Sequence, residues 1–187
     1  DGDESWCLFD IPTPNDTNSN SVCFSGYHGV PLYSHNAGFY ESSLQLSINN
    51  ATDFGNIYYT LDGSEPTTNS LIYYGAITID STRVVRARII GGSELLPGKV
   101  VSNTYFINEH ITLPVVSIAT NPEYLWDYYT GIYSMGPYAD TVFPYMNANF
   151  WMGWEKTGNV EYFDENGNLG FDIDAKYKIQ GNFSKGF

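Results

Sequence analysis

Few stretches of this chain bring reactive side chains together at a useful spacing. Phosphoryl transfer needs cations over the phosphates and carboxylates on magnesium. Gly181-Asn-Phe-Ser-Lys-Gly186 follows a strand pattern and offers pliable backbone with one ammonium. Gly181, Ser184 and Lys185 are therefore the candidate nucleotide contacts, against the competing reading of a surface turn. The segment is neither a Walker loop nor the Gly-x-Gly-x-x-Gly of protein kinases. Hydrolysis of a glycosidic bond by Leu169-Gly-Phe-Asp-Ile-Asp174 would need a glutamic acid two residues past the last Asp, to protonate the leaving oxygen. Position 176 is Lys, which excludes that chemistry. Asp172 and Asp174 then share a strand face, expected toward water. Lys176 and Lys178 also alternate on one face, within reach of ion pairs.

Other constellations fail on spacing. Asp164, Asn166 and Asn168 alternate as calcium ligands do, but an EF-hand loop wants Gly at its sixth position and Glu at its twelfth. Leu169 and Ala175 stand there, so a hairpin turn is expected. His28, His35 and His110 form no zinc-spaced pair. No Ser sits in Gly-x-Ser-x-Gly. No catalytic residue and no metal ligand is assigned. The aromatic side chains suggest binding instead. Tyr58 and Tyr59, and Tyr73 and Tyr74, are adjacent pairs, so on a strand one ring of each points out. An outward ring can stack on a sugar face. Tyr59 and Trp154 are the carbohydrate-binding candidates, against ordinary core packing.

The totals narrow the classes further. The chain has 187 residues, enough for one or two cored domains. It carries 8 Lys+Arg against 21 Asp+Glu, a net charge of −13 that repels phosphate backbones and argues against nucleic-acid partners. It has no polybasic segment and no apolar run of about 18 residues, so no membrane span is expected. It opens on Asp-Gly-Asp-Glu and stops at Phe187, which reads as a piece of a longer protein. The abundance of Tyr, Gly, Asn, Ser and Thr suits a secreted or cell-surface location. Cys7 and Cys23 would close a loop of roughly 15 residues as a disulfide, a constraint of about 3 kcal/mol in the chain-entropy model. Asn15-Asp-Thr17 and Asn50-Ala-Thr52 have the form of sugar-acceptor sequons, or of plain turns.

These residues need elements to position them, and the pattern is mainly β. Residues 1–36, with Pro12, Pro14, Pro31 and a polar tract from Asn15, read as a linker or the tail of a preceding domain. Trp6 and Phe9 are expected to pack on a neighbour. Residues 37–108 read as an immunoglobulin-like or fibronectin type III-like sandwich of about seven strands. Leu44, Leu46 and Ile48 alternate with Gln45 and Ser47, and Ile57 to Leu61, Leu71–Tyr74, Ala76–Ile79, Thr82–Ile90 and Val100–Ile107 follow. The turn after Leu61 rests on Asp62, Gly63, Ser64 and Pro66, with Asp62 and Glu65 expected to cap amides. Residues 109–187 read as a partial α+β unit. Leu113–Thr120 is a strand, Asn121-Pro122 starts a short helix, and Thr130–Ser134 turns into a further strand. Phe150, Trp151 and Trp154 are expected to order the loop over 136–153. Val160–Phe163 and Phe171–Ile179 flank a hairpin turn at Asp164–Asn168.

Three resemblances attach to these residues. Ile57-Tyr-Tyr-Thr-Leu-Asp-Gly-Ser-Glu-Pro-Thr67, with Ser70, Tyr73, Val84-Val-Arg-Ala-Arg88, Ser102 and Tyr105, resembles the chitobiase/β-hexosaminidase C-terminal domain family. That implies a fibronectin-like accessory module with a spacer or docking role. Leu113-Pro-Val-Val-Ser-Ile118, Asp127, Gly131-Ile-Tyr133, Asn149-Phe150, Trp154, Val160-Glu-Tyr-Phe163, Gly167, Lys178-Ile-Gln-Gly181 and Ser184-Lys-Gly186 resemble the start of the CotH kinase-like family. That implies a phosphoryl-transferring parent using ATP and magnesium, whose remaining catalytic positions lie downstream. The downstream remainder of that unit would be a partner, with surface glycans or secreted proteins as others. Trp6, Pro12-Thr-Pro14 and Asn18 resemble the closing strand of bacterial lamin-tail domains. The resulting expectation is a non-catalytic fragment of a secreted bacterial CotH-type protein; the alternative is a cell-surface carbohydrate-binding or adhesion module.

Overall fold

The computed structural model describes residues 6–11, 22–50, 54–92 and 94–181. The strands are β1 (Gly26–Tyr27), β2 (Leu32–Tyr33), β3 (Gly38–Tyr40), β4 (Leu44–Leu46), β5 (Ile48–Asn49), β6 (Asn56–Thr60), β7 (Leu71–Ile72), β8 (Ile77–Ile79), β9 (Arg83–Ile90), β10 (Leu95–Leu96), β11 (Val101–Ile107), β12 (Val115–Ala119), β13 (Lys156–Phe163) and β14 (Leu169–Tyr177). One α-helix, α1 (Pro122–Trp126), and a 3₁₀ turn at Asn149–Trp151 complete the described elements.

The strands stack as three β layers. The middle layer is a five-stranded sheet in the order β3-β11-β9-β6-β7. β4 pairs with β8, and β2 with β5, to form the layer on one side. Strand alternation explains the core between them. Leu44, Leu46, Ile48 and Ile79 from the small layer meet Ile57, Val85, Ala87, Ile89, Tyr105 and Ile107 from the five-stranded sheet. The mainly β, sandwich-like expectation holds here. Residues 22–36, read as connector, also contribute structure. β1 runs parallel to β10, β2 pairs antiparallel with β5, and the Tyr33 hydroxyl donates to the Val101 carbonyl at 3.1 Å. Their few apolar side chains suffice because β10 and β5 supply open edges. Cys7 and Cys23 form the disulfide, with Leu8 bridging Phe24 beside it. Trp6 has no such packing and is almost fully exposed.

The third layer is the antiparallel sheet β12-β13-β14 on the other side of the five-stranded sheet. α1 begins as its sequence requires. Asn121 is the N-cap, its side chain accepting from the Glu123 amide, and Pro122 fills the first turn. The strand expected after Thr130 does not form. The Asp127 carboxylate accepts from the Tyr129 and Thr130 amides, and the Ile132 and Tyr133 amides return to carbonyls of α1. That local capping outcompetes an extended conformation. The aromatic loop is pinned by Asn149 as well as by Phe150. Asn149 is buried and donates to the Tyr128 and Gly131 carbonyls at 3.0 and 3.1 Å, Trp151 donates to the Pro144 carbonyl, and Trp154 is 38% exposed. The Asp164–Asn168 turn is a hairpin whose Asp164 carboxylate accepts from the Asn166 and Asn168 amides.

Candidate functional site

The five-stranded sheet and the β12–β14 sheet meet along a seam, and the polar chemistry of the chain gathers there. Alternation on β9 turns Val85, Ala87 and Ile89 inward and Arg86 and Arg88 to the seam. Arg86 donates to the Gly63 carbonyl at 2.8 Å and to the Ser102 hydroxyl at 3.1 Å. Burial lowers its pKa. Arg88 donates to the Gly98 carbonyl and pairs with Glu65 at 3.1 Å. Glu65 is thus an ion-pair partner and not the amide cap expected of it, because Arg88 reaches it across the sheet face.

From the other side, Asp174 on β14 accepts from Lys99 at 2.9 Å. Burial works to raise the Asp174 pKa, but hydrogen bonds from Lys99 and Asn159 outweigh it and the net shift is down. The same pairing raises the pKa of Lys99. Asp172 accepts from the Asn159 amide nitrogen at 2.6 Å. The two aspartates therefore face the seam, and only in part the open water expected of them. Lys176 lies 3.9 Å from Glu155.

A cleft of about 330 Å³ opens here, lined by Glu65, Arg86, Arg88, Lys99, Asn121, Tyr124, Thr157 and Asp174 among others. A recess of about 560 Å³, with Ser102, Asn159 and Asp172 on its wall, shares Lys99 and Asp174 with it. The Lys99–Asp174 pair stands between the two. Three of the chain's 8 Lys+Arg line the first cleft, a local concentration in a chain of charge −13. Forked donors interleaved with carboxylates beside a tyrosine ring can hold a polyhydroxylated ligand. Among the described residues no group of three or more His, Cys, Asp and Glu is placed to hold a metal ion.

The signature turn serves this seam. Asp62 accepts from the Ser64 amide and hydroxyl, which lowers its pKa. The Thr60 hydroxyl donates to the Ser64 carbonyl, and Pro66 is fully buried. Gly63 has φ +84°, and a β-carbon there would lie 2.9 Å from the Thr120 carbonyl oxygen. Gly63→Ala is expected to destabilise the protein by at least 1–2 kcal/mol, roughly the cost of a left-handed residue before any clash. A urea midpoint unchanged by this substitution would contradict the close approach.

The other sequence candidates separate. Tyr59 turns inward, packs on the sandwich core and meets Tyr73 edge-to-face at 6.5 Å. Its outward neighbours in the two pairs are Tyr58 and Tyr74, of which Tyr74 is the open one. The Trp154 ring lies under the Lys156 ammonium at 5.6 Å, beside Tyr124. Gly181 is exposed at the end of the described chain, and Ser184 and Lys185 lie outside the described residues. So do Asn15, Thr17 and Thr52 of the sequons and the Pro12–Pro14 pattern.

Two seam residues were named from the sequence only within the Val160–Phe163 strand run, with no site role assigned. Glu161 is 1% exposed and accepts from the Thr104 amide at 3.0 and 3.3 Å, and from the Thr104 hydroxyl. Burial raises its pKa more than those hydrogen bonds lower it. Phe163 is fully buried against the stacked pair Phe39 and Phe106, with ring centroids at 5.6 and 5.4 Å. Their shared face was visible in the alternation Glu161, Phe163; what that face packs on was not.

The described residues form an immunoglobulin-like β-sandwich with a further sheet docked on it. Residues 35–102 match the family model of the chitobiase/beta-hexosaminidase C-terminal domain. No curated protein and no solved structure matches the chain. A domain of this type and the Cys7–Cys23 disulfide are compatible with secretion. No helix among the described residues is long and apolar enough to cross a membrane.

Proposed function

We propose that the chain is the accessory sandwich and the opening strands of a CotH-type kinase-like unit from a secreted bacterial protein. The sandwich acts as the platform on which that unit is seated, and these residues perform no catalysis alone. The observation that carries this reading is the buried contact of Glu161 and Phe163 with the outer face of the five-stranded sheet. A free-standing spacer has no use for a polar strand face, Ser102 and Thr104, buried under the next sheet. ATP and magnesium belong to the longer parent, with Gly181, Ser184 and Lys185 as its nearest candidate contacts in this chain. Glycans or secreted proteins are its outside partners.

The seam cleft favours a second reading, a cell-surface carbohydrate-binding module. One experiment separates the two. Thermal melts of this chain are run with ATP and magnesium, and sedimentation with insoluble chitin and cellulose is run alongside. The first reading expects no shift in Tm and no retention, with a shift appearing in a longer parent chain. Retention on either polysaccharide, lost in Lys99→Ala or Trp154→Ala, establishes the second. Tyr59→Ala is unsuited to this purpose because Tyr59 packs on the core.

A further inference from the structure

Arg86 is the one cation of the seam cleft without a carboxylate of its own. Arg88 pairs with Glu65, and Lys99 with Asp174. Arg86 is partly buried and meets only neutral groups, the Gly63 carbonyl through Nη1 and the Ser102 hydroxyl through Nε. Its Nη2 has no partner among the described residues, and neither has Nη2 of Arg88. Glu65 and Asp174 lie close enough to favour the Arg86 charge, but each is bonded to another cation, and burial outweighs them. A buried arginine is ordinarily paired. Here 21 Asp+Glu against 8 Lys+Arg leave carboxylates to spare, and none is placed on Arg86. Lys156 makes no ion pair among the described residues either. Its ammonium sits 5.2 Å from the centre of the Tyr124 ring, and Tyr124 lines the cleft.

We propose that the seam cleft takes an acidic glycan, whose uronate-type carboxylate is held by Arg86 and Arg88 with Lys156 beside them. The site is that of the carbohydrate reading, on which this assignment rests, with a charge now given to its ligand. A carboxylate brings two oxygens, one for each open guanidinium end, and charge-assisted contacts of this kind are the strong ones. The donors are positioned in advance, because backbone carbonyls hold both side chains, Gly63 for Arg86 and Gly98 for Arg88. An anion arriving there supplies the pairing that a desolvated guanidinium lacks. The cleft of about 330 Å³ has room for a sugar ring beside the carboxylate, and Asn121, Tyr124 and Thr157 put hydroxyl-binding groups on its wall. The chain as a whole repels anions at −13, so binding of one reports the local charge of the cleft and not a general attraction.

The test uses the 187-residue chain with trigalacturonate, its methyl ester and inorganic sulfate as probes. The two oligomers share a backbone, and only the first carries charge. Amide and guanidinium NMR shifts are followed at near-physiological salt in wild type, Arg86→Gln and Lys156→Gln. Arg86 also holds the Gly63 turn, so Tm verifies folding, and Lys156→Gln keeps the test open if Arg86→Gln unfolds. The expected result is saturable binding of trigalacturonate with shifts at Arg86, Arg88 and Tyr124. Arg86→Gln should weaken it about tenfold, the loss of one charge-assisted contact, and Lys156→Gln by a smaller factor. The ester should not bind. Equal binding of acid and ester overturns the proposal and leaves the carbohydrate reading standing. No binding of either oligomer also overturns it, and retention on chitin or cellulose then decides the broader reading by itself. Sulfate that moves the same signals as tightly as the trimer marks an oxyanion site without a sugar and overturns the glycan. Binding unchanged in both variants overturns the placement. So does binding lost in the longer parent chain, where a downstream carboxylate then takes the position.

Discussion

Phe163→Ala is expected to cost about 3–5 kcal/mol, the usual range for emptying a fully buried aromatic site. Phe163 contributes nothing to the sandwich core, whose members are Leu44, Leu46, Ile48, Ile57, Ile79, Val85, Ala87, Ile89, Tyr105 and Ile107. Its ring instead fills the angle between β13 and the Phe39–Phe106 stack. Loss of the ring should loosen the third layer before the first two. Amide hydrogen exchange tests this directly. Protection is expected to fall across β12, β13 and β14 and to persist at Leu46 and Ile89. A uniform fall across all three layers would mean that the sheets unfold as one unit and that Phe163 anchors nothing in particular. A loss below 1 kcal/mol would show the site collapsing around the gap.

Glu161→Ala is expected to lower stability by about 1–3 kcal/mol, because the buried Thr104 amide then lacks its acceptor. Glu161→Gln should behave differently. It keeps an oxygen for Thr104 and removes a carboxylate from a site with almost no water. Burial raises the pKa of Glu161 above its ordinary 4.5. The folded protein therefore holds that proton more tightly than the unfolded chain does. The associated stability is fully present below the unfolded value and is lost as pH rises through the raised value. Wild type and Glu161→Gln should be close in stability at low pH, with Gln gaining as pH climbs to neutrality. Urea melts at several pH values measure the gap. A gap that narrows toward neutral pH would reverse the sign and place the carboxylate in a stabilising field.

The two substitutions together address why part of the structure was legible in the sequence and part was not. The sandwich could be read because its signals are local. Leu44, Leu46 and Ile48 alternate with polar neighbours, and Asp62-Gly63 demands a turn whose geometry only a few residues supply. The first turn of α1 was readable from Asn121-Pro122 for the same reason. The seam was not readable, because alternation reports two faces and says nothing about which one meets another layer. Ser102, Thr104 and Arg86 look like the wet side of a two-layer sandwich. Glu161 between Val160 and Tyr162 looks like a side chain facing water. Both inferences fail once a third sheet covers the second. The same reversal left the apolar side of β13 and β14 outside. Glu65 was misread by a smaller margin, since its partner Arg88 is distant in sequence and adjacent only across the folded sheet.

β11 lies under both buried interfaces, and that position has a price for anyone recombining modules. Tyr105 and Ile107 belong to the sandwich core, while Ser102, Thr104 and Phe106 serve the seam. A cut at residue 102, where the family match ends, would sever this strand near its start. It would strip the core of two members while baring surface meant to stay dry. Grafts and truncations of the sandwich should therefore keep the chain through Asn108. They should also replace Phe106 with a soluble side chain whenever the following sheet is left behind.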